Sequence, residues 1–124
     1  MSQPEDLRGR TKRFALRIIK LFRALPRSEE ARILGKQVLR SGTSVAANYR
    51  ALCRARSKAE FVAKMGVVIE EADETVFWLE LLVESGIFPR PKLEDLITEA
   101  NELTAIFVAS RKTATGWTKA GPTT

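Results

Sequence analysis

The sequence predicts an all-α protein, an antiparallel up-down-up-down four-helix bundle. Apolar residues recur every three or four positions in four successive segments, which is the spacing of amphipathic helices. Short stretches containing Pro, Gly or Ser separate these segments, and short connections between long helices favour antiparallel neighbours. A chain of 124 residues can bury a sufficient core without disulfides or metals. We therefore assign residues 1–112 to one bundle domain and residues 113–124, which lack periodicity, to a flexible C-terminal tail.

The first helix is predicted over about residues 5–25. Its core-facing residues are Leu7, Phe14, Ala15, Ile18, Leu21, Phe22 and Leu25. At about 100° per residue, cations cluster on the opposite face, and these are Arg10, Lys12, Arg13, Arg17, Lys20 and Arg23. Pro26 ends the helix, and Ser28 is a suitable N-cap for the next helix because Glu29 and Glu30 follow it in the first turn.

The second helix is predicted over about residues 28–55. Its inner stripe consists of Leu34, Val38, Val45, Tyr49 and Leu52. Residues 42–44, Gly-Thr-Ser, could form a loop, but the periodicity continues in phase beyond them. We therefore predict one continuous helix whose small residues admit a close neighbour, with a kink as the alternative. A single face away from the core carries Arg32, Lys36, Arg40, Arg50 and Arg54.

The third helix is predicted over about residues 57–86, from a capping box of Ser57 and Glu60 to Gly86 as the C′ residue. Its inward-facing residues are Phe61, Met65, Val68, Ile69, Ala72, Val76, Leu79 and Val83. A second apolar group lies on the outer arc among glutamates, and it comprises Val67, Phe77, Trp78 and Leu81. Because an isolated monomer rarely exposes so much apolar surface, this group predicts self-association.

The fourth helix is predicted over about residues 91–111, after the turn that Pro89 and Pro91 mark. Its apolar stripe consists of Leu93, Leu96, Ile97, Ala100, Leu103, Thr104, Phe107 and Val108.

Two polar residues of the second helix are predicted to have structural roles. Counting outward from the turn at residues 55–57 places Arg40 near Ala72, within reach of Glu71, Asp73 or Glu74. Asn48 projects near the core, where its amide is expected to meet a polar partner across a helix or subunit boundary. Buried polar pairs of this kind can specify register.

The composition argues against an enzyme. The chain has no histidine, the commonest general base and transition-metal ligand. The single cysteine, Cys53, is interpreted as a structural thiol and favours a reducing cytoplasm. Neither a signal peptide nor a membrane span is recognisable. We expect a cytoplasmic protein without catalytic residues, cofactor, metal or small-molecule substrate.

The acidic cluster of the third helix is the strongest catalytic candidate, and it consists of Glu70, Glu71, Asp73 and Glu74. Glu-Glu-x-x-Glu is similar to the motif of all-helical nucleoside triphosphate pyrophosphohydrolases, which bind magnesium. Those enzymes need a Glu-x-x-Asp on the following helix, but here Lys92 stands three residues before Asp95. We therefore interpret the cluster as a set of ion-pairing groups.

The distribution of charge indicates a polyanionic partner as one possibility. Residues 1–64 hold 16 Lys/Arg and five Asp/Glu, whereas residues 65–124 hold five and ten. Such halves can pair within a molecule, between copies, or with an outside polyanion. Our candidate nucleic-acid contacts are Arg10, Arg13, Arg17, Lys20, Arg32, Lys36, Arg50 and Arg54. Aromatic residues do not alternate with these cations, so any binding is predicted to be non-sequence-specific. Binding of the first helix to a membrane surface is not favoured, because the apolar side of that helix is needed for the bundle core.

Three segments together resemble a known family. Gln37, Arg40, Ser41, Ser44, Ala47, Asn48 and Tyr49 come first, followed by CRARSKAEF at residues 53–61 and EEADETVFWLELL at residues 70–82. Over about residues 10–110 the chain resembles bacterial four-helix-bundle proteins encoded in intervening sequences of large-subunit ribosomal RNA genes. The resemblance implies homo-oligomeric rings, typically homopentamers, without established enzymatic activity. A related branch serves as an accessory factor to a reverse transcriptase and is thought to contact nucleic acid.

The resulting hypothesis is a non-catalytic, homo-oligomeric accessory factor that contacts RNA or DNA through basic helix faces. The first alternative is a scaffold that binds an acidic protein partner. The second alternative is a degenerate magnesium-dependent nucleotide pyrophosphohydrolase.

Overall fold

The computed structural model describes residues 4–116, and within that range the chain forms four α-helices and no strand. These helices are α1 (Pro4–Ala24), α2 (Glu29–Leu52), α3 (Lys58–Glu84) and α4 (Arg90–Thr115). Each helix packs against the next one in the chain, while α1 and α4 meet over a shorter stretch. The connections are only four or five residues long, so successive helices run antiparallel. The predicted four-helix bundle is confirmed.

Two helix ends differ from the prediction. α2 ends at Leu52, because the amides of Arg54 and Ala55 bond to carbonyls three residues back in a closing turn. α4 continues to Thr115, so residues 113–115 of the predicted tail are helical. Gly116 then ends α4 in the left-handed conformation, with φ of 67°. The remainder of the predicted tail, residues 117–124, lies outside the described residues.

The predicted N-caps are confirmed. Ser28 accepts a hydrogen bond from the Ala31 amide at 3.2 Å, and Ser57 accepts one from the Glu60 amide at 3.1 Å. Glu60 in turn accepts from the amide of Arg56 at 2.9 Å, one residue earlier than in a standard capping box. These bonds satisfy amides that the first helical turn would leave without partners.

The core consists of the inner stripes of all four helices. Its largest fully buried side chains are Phe14, Ile18, Val38, Val45, Leu52, Met65, Val68, Leu79, Leu82, Leu93, Leu103 and Phe107. Tyr49 stacks on Phe107 with ring centroids 5.8 Å apart, which joins α2 to α4. Burial, together with the neighbouring Cys53, raises the pKa of Tyr49 to about 12, because both disfavour the phenolate.

Small residues bring α2 close to both of its neighbours. The helix is unbroken through residues 42–44, as predicted. A Cβ on Gly42 would lie 2.7 Å from Cγ1 of Ile18, so a larger residue would force α1 away. On the other side, the Ser41 and Thr75 hydroxyl oxygens lie 2.9 Å apart in a buried hydrogen bond between α2 and α3. Among residues 4–116, no helix combines the length and apolar character that a membrane span requires.

Candidate nucleic-acid interface

Arg10 forms ion pairs with two glutamates of α4. Its Nε and Nη2 donate to the two carboxylate oxygens of Glu99 at 2.7 and 2.8 Å, and Nη2 also donates to Glu102 at 2.8 Å. These charge-assisted bonds raise the pKa of Arg10 above its ordinary value. The assignment of Arg10 to a nucleic-acid stripe stays a prediction, and these ion pairs argue against it. A projection of α1 alone does not reveal carboxylates that α4 brings beside it.

Arg40 makes the ion pairs that the sequence predicted. Its Nη1 lies 3.2 Å from a Glu71 oxygen, and its Nη2 lies 2.9 Å from a Glu74 oxygen. The Arg40 guanidinium holds the pKa of the Glu74 carboxyl below its ordinary value, and the Trp78 indole N–H contributes through a 3.4 Å bond. The described residues contain no group of three acidic or cysteine side chains placed to hold a metal ion.

Asn48 bonds within its own helix. Its Nδ2 donates to the Ser44 carbonyl at 2.9 Å, and the side chain is half-buried. The amide of Asn48 was expected to bond to a polar group on another helix. Within the chain it bonds instead to the carbonyl one turn earlier in α2. A partner across a subunit boundary stays a prediction.

The outer surface of α3 carries exposed apolar side chains among acidic ones. Phe77 is 50% exposed and Val67 is 42% exposed, as predicted. Trp78 and Leu81 are half-buried beside them. Phe77 and Trp78 make an edge-to-face contact with centroids 5.0 Å apart. We call Val67, Phe77, Trp78 and Leu81 the α3 patch.

The other seven candidate contacts are exposed, and within the described part of the chain none has a carboxylate oxygen within 4.0 Å. They are Arg13, Arg17, Lys20, Arg32, Lys36, Arg50 and Arg54. The structure divides them into separate groups. Arg32, Arg50 and Arg54 line clefts between α1 and α2. The other four line neither cleft, and they are Arg13, Arg17, Lys20 and Lys36.

The first cleft lies where the start of α1 meets the end of α2. It has a volume of about 490 Å³. Its cationic lining residues are Arg8, Lys12, Arg50 and Arg54, and its remaining lining residues are Gly9, Thr43, Ala46 and Ala47. We call it the terminal cleft. None of its four cations pairs with a described carboxylate.

The second cleft lies at the opposite end of the same two helices, beside their connection. It has a volume of about 530 Å³, and its lining residues are Phe22, Arg23, Leu25, Pro26, Arg27, Ala31 and Arg32. We call it the loop cleft. Three arginines therefore gather at this end, again without a described carboxylate partner.

Two terminal-cleft cations were absent from the predicted contacts. Arg8 and Lys12 join Arg50 and Arg54 because α1 and α2 run antiparallel about residues 25–28. Gly42 packs on Ile18, and counting along both helices from that contact places Arg8 beside Leu52 and Lys12 beside Asn48. Counting from the connection in the sequence gives a register seven residues away from this one, so the grouping follows from the packed helices.

Comparison with known proteins places this architecture in a family. A family model described as "23S rRNA-intervening sequence protein" matches residues 6–109. The chain belongs to that family. It is also similar to a crystal structure of a protein of unknown function from the S23 ribosomal protein family of Bacteroides thetaiotaomicron. The two are 32% identical with a TM-score of 0.82, over 88% of this chain and 97% of the other. No curated protein matches the chain.

The clefts of this 23S rRNA-intervening sequence family protein are suited to phosphate groups. Arginine presents a planar set of donors that matches two phosphate oxygens at once. Small side chains in the terminal cleft leave room for a backbone to approach the four cations. Among the described residues, no aromatic side chain lines that cleft to offer a base a stacking surface.

Proposed function

We propose that the protein is a non-catalytic accessory factor that binds the phosphate backbone of RNA or DNA on the exposed surface of α1 and α2. The terminal cleft is the observation that carries this proposal. Arg8, Lys12, Arg50 and Arg54 surround one concave surface without an acidic partner among the described residues.

Electrostatics supports a polyanionic ligand. Cations held around one cleft repel one another, and a low-dielectric wall strengthens that repulsion. Arg10 and Arg40 show how the chain neutralises cations that serve structure, since each pairs with two glutamates. Within residues 6–116 the cleft cations have no such carboxylate partner, so an arriving polyanion would gain attraction and release its own counterions.

The same geometry favours backbone binding over base recognition. The terminal cleft offers cations and small residues, and such contacts carry no sequence information. Arg13, Arg17 and Lys20 would add longer-range attraction from outside the clefts. We therefore propose binding without sequence specificity and a cytoplasmic site of action.

A salt titration of fluorescence anisotropy tests this function. We expect the purified protein to bind both duplex DNA and structured RNA, with affinity that falls steeply as salt rises. Arg50→Gln with Arg54→Gln should weaken binding by about 50-fold at 0.1 M salt and reduce the salt slope by about 2, since two phosphate contacts are lost.

Arg90→Gln with Lys92→Gln is the matched control. It removes the same charge from exposed positions at the start of α4, away from the terminal cleft. An equal loss of affinity in the two double variants would mean that binding depends on net charge and not on the terminal cleft. Failure to bind either nucleic acid at low salt would overturn the function, and capture of an acidic protein by the same cations would then favour the scaffold alternative.

We also propose that the α3 patch mediates assembly into a ring, a pentamer by resemblance to the family. The exposed side chains of Phe77 and Val67, ten residues apart on the outer side of α3, support self-association. Phe77→Ser should shift the sedimenting mass from a multiple of the 13.9 kDa protomer towards the protomer itself. Glu80→Ser, at an exposed polar position on α3, should leave the mass unchanged. A wild-type protein that sediments as 13.9 kDa at all concentrations would contradict the proposal.

A further inference from the structure

We infer that the terminal and loop clefts form one two-point site, which a single continuous phosphodiester backbone occupies along the α1–α2 surface. This inference rests on the proposed function and deepens it. It specifies the direction of the bound backbone and the minimum length that it must have.

The cations of the two clefts lie in line on each helix. Arg32 and Arg50 are 18 residues apart on α2, which is about five helical turns, so both point in the same direction. Lys12 and Arg23 are 11 residues apart on α1, which is about three turns. Each cleft contains one member of each row, so both rows border the same surface.

The surface between the clefts carries a further cation on α2 and, on α1, the exposed apolar side chain of Leu16, one turn beyond Lys12. Lys36 is one turn beyond Arg32 on α2, is exposed and has no described carboxylate partner. Thr43 follows seven residues later and itself lines the terminal cleft. A backbone that leaves the loop cleft therefore meets a further cation before it reaches the terminal cleft.

The helical rise gives the length of the site. At 1.5 Å per residue, Lys12 and Arg23 are about 16 Å apart and Arg32 and Arg50 about 27 Å apart. The clefts are therefore separated by roughly 20–25 Å along the bundle. A duplex rises about 3.4 Å per base pair, so about seven base pairs are needed to reach both clefts.

A length series in hairpins tests the inference. Hairpins of DNA and of RNA with one common loop and stems of about 4, 8 and 12 base pairs are titrated at constant salt. We expect affinity to rise at least about 10-fold between the 4- and 8-base-pair stems, because the second contact becomes intramolecular. Between 8 and 12 base pairs we expect a change of less than about 3-fold, since both clefts are then occupied. A rise confined to one series would identify RNA or DNA as the better-fitting backbone.

Variants at each end separate two-point binding from general attraction. Arg23→Gln with Arg32→Gln disables the loop cleft, and Lys12→Gln with Arg50→Gln disables the terminal cleft. In either variant the step between 4 and 8 base pairs should disappear, leaving less than about a 3-fold change. Retention of the full step in both variants would overturn the inference while the proposed function stands. If no hairpin binds the wild-type protein at low salt, both fail.

A steric variant tests seating in the terminal cleft without changing charge. Ala47 is exposed and lines that cleft, and leucine has nearly the same helix propensity as alanine. Ala47→Leu should weaken binding of the 8-base-pair stem by about 5- to 10-fold, since it obstructs one of the two contacts. An unchanged affinity, with the fold intact by circular dichroism, would contradict seating in the cleft.

Discussion

Gly42→Ala is expected to lower the free energy of unfolding by about 1–3 kcal/mol, although alanine is the better helix former. The new Cβ would lie 2.7 Å from Cγ1 and 2.9 Å from Cγ2 of Ile18. Ile18 is fully buried and branched at Cβ, so its side chain has no free rotamer into which to withdraw. α1 and α2 must therefore separate, which weakens the packing along their shared surface. Urea denaturation at one fixed protomer concentration measures the change.

Gly9→Ala is the matched control on α1. A Cβ at Gly9 would approach only Nη1 of Arg13, at 3.4 Å, and that group ends a long exposed side chain. This substitution should raise the free energy of unfolding by about 0.5–1 kcal/mol, since alanine restricts the unfolded chain and favours the helix. Gly35→Ala should fall between the two, because its closest contact is the mobile tip of Leu25. Destabilisation by Gly9→Ala equal to that by Gly42→Ala would contradict the assigned close approach.

The sequence predicts those parts of the fold that depend on one helix or on one short turn. Helical periodicity identified the four helices and the exposure of Phe77. Counting from the turn between α2 and α3 placed Arg40 within reach of Glu71, Asp73 or Glu74, and the structure pairs it with Glu71 and Glu74. This works because both helices rise equally per residue from a common origin.

Other features depend on relations that a single helix does not contain. Leu82 is fully buried where the prediction placed Val83 inward, since α3 is covered by both α2 and α4 and its apolar arc is wide. α4 extends to Thr115 because backbone hydrogen bonding continues where the apolar stripe ends. Arg10 meets Glu99 because the first and last helices pack together, and no turn sets their register.

Part of the candidate site could likewise be predicted from single helices, and part of it depends on how the helices pack. Exposure of Arg32, Arg50 and Arg54 followed from the position of the core on α2. Their grouping with Arg8 and Arg23 into two clefts needs the antiparallel packing of α1 on α2. Charge composition thus indicated a polyanionic ligand, whereas the length of ligand that the site needs follows only from the packing of α1 against α2.

Arg10→Ala is expected to lower the free energy of unfolding by about 2 kcal/mol. Arg10 and Glu99 are only 23% and 18% exposed in their side chains, and their bidentate pair bridges α1 and α4 where these helices meet over a short stretch. Removing the guanidinium leaves the Glu99 carboxylate desolvated without its partner, which costs more than the net value of the pair. Urea denaturation measures the loss, again at fixed protomer concentration.

Two comparisons assign this loss to the ion pair. Arg17→Ala changes the same residue type at an exposed position on α1 and should cost less than about 0.5 kcal/mol. Arg10→Ala combined with Glu99→Ala should cost less than the two single substitutions added together, because neither charge is then left unpaired. Arg10→Ala should also leave nucleic-acid affinity within about 2-fold of wild type, since its donors are already engaged by Glu99 and Glu102. An Arg10→Ala protein of unchanged stability but strongly reduced affinity would instead place this guanidinium on phosphate and restore it to the basic surface.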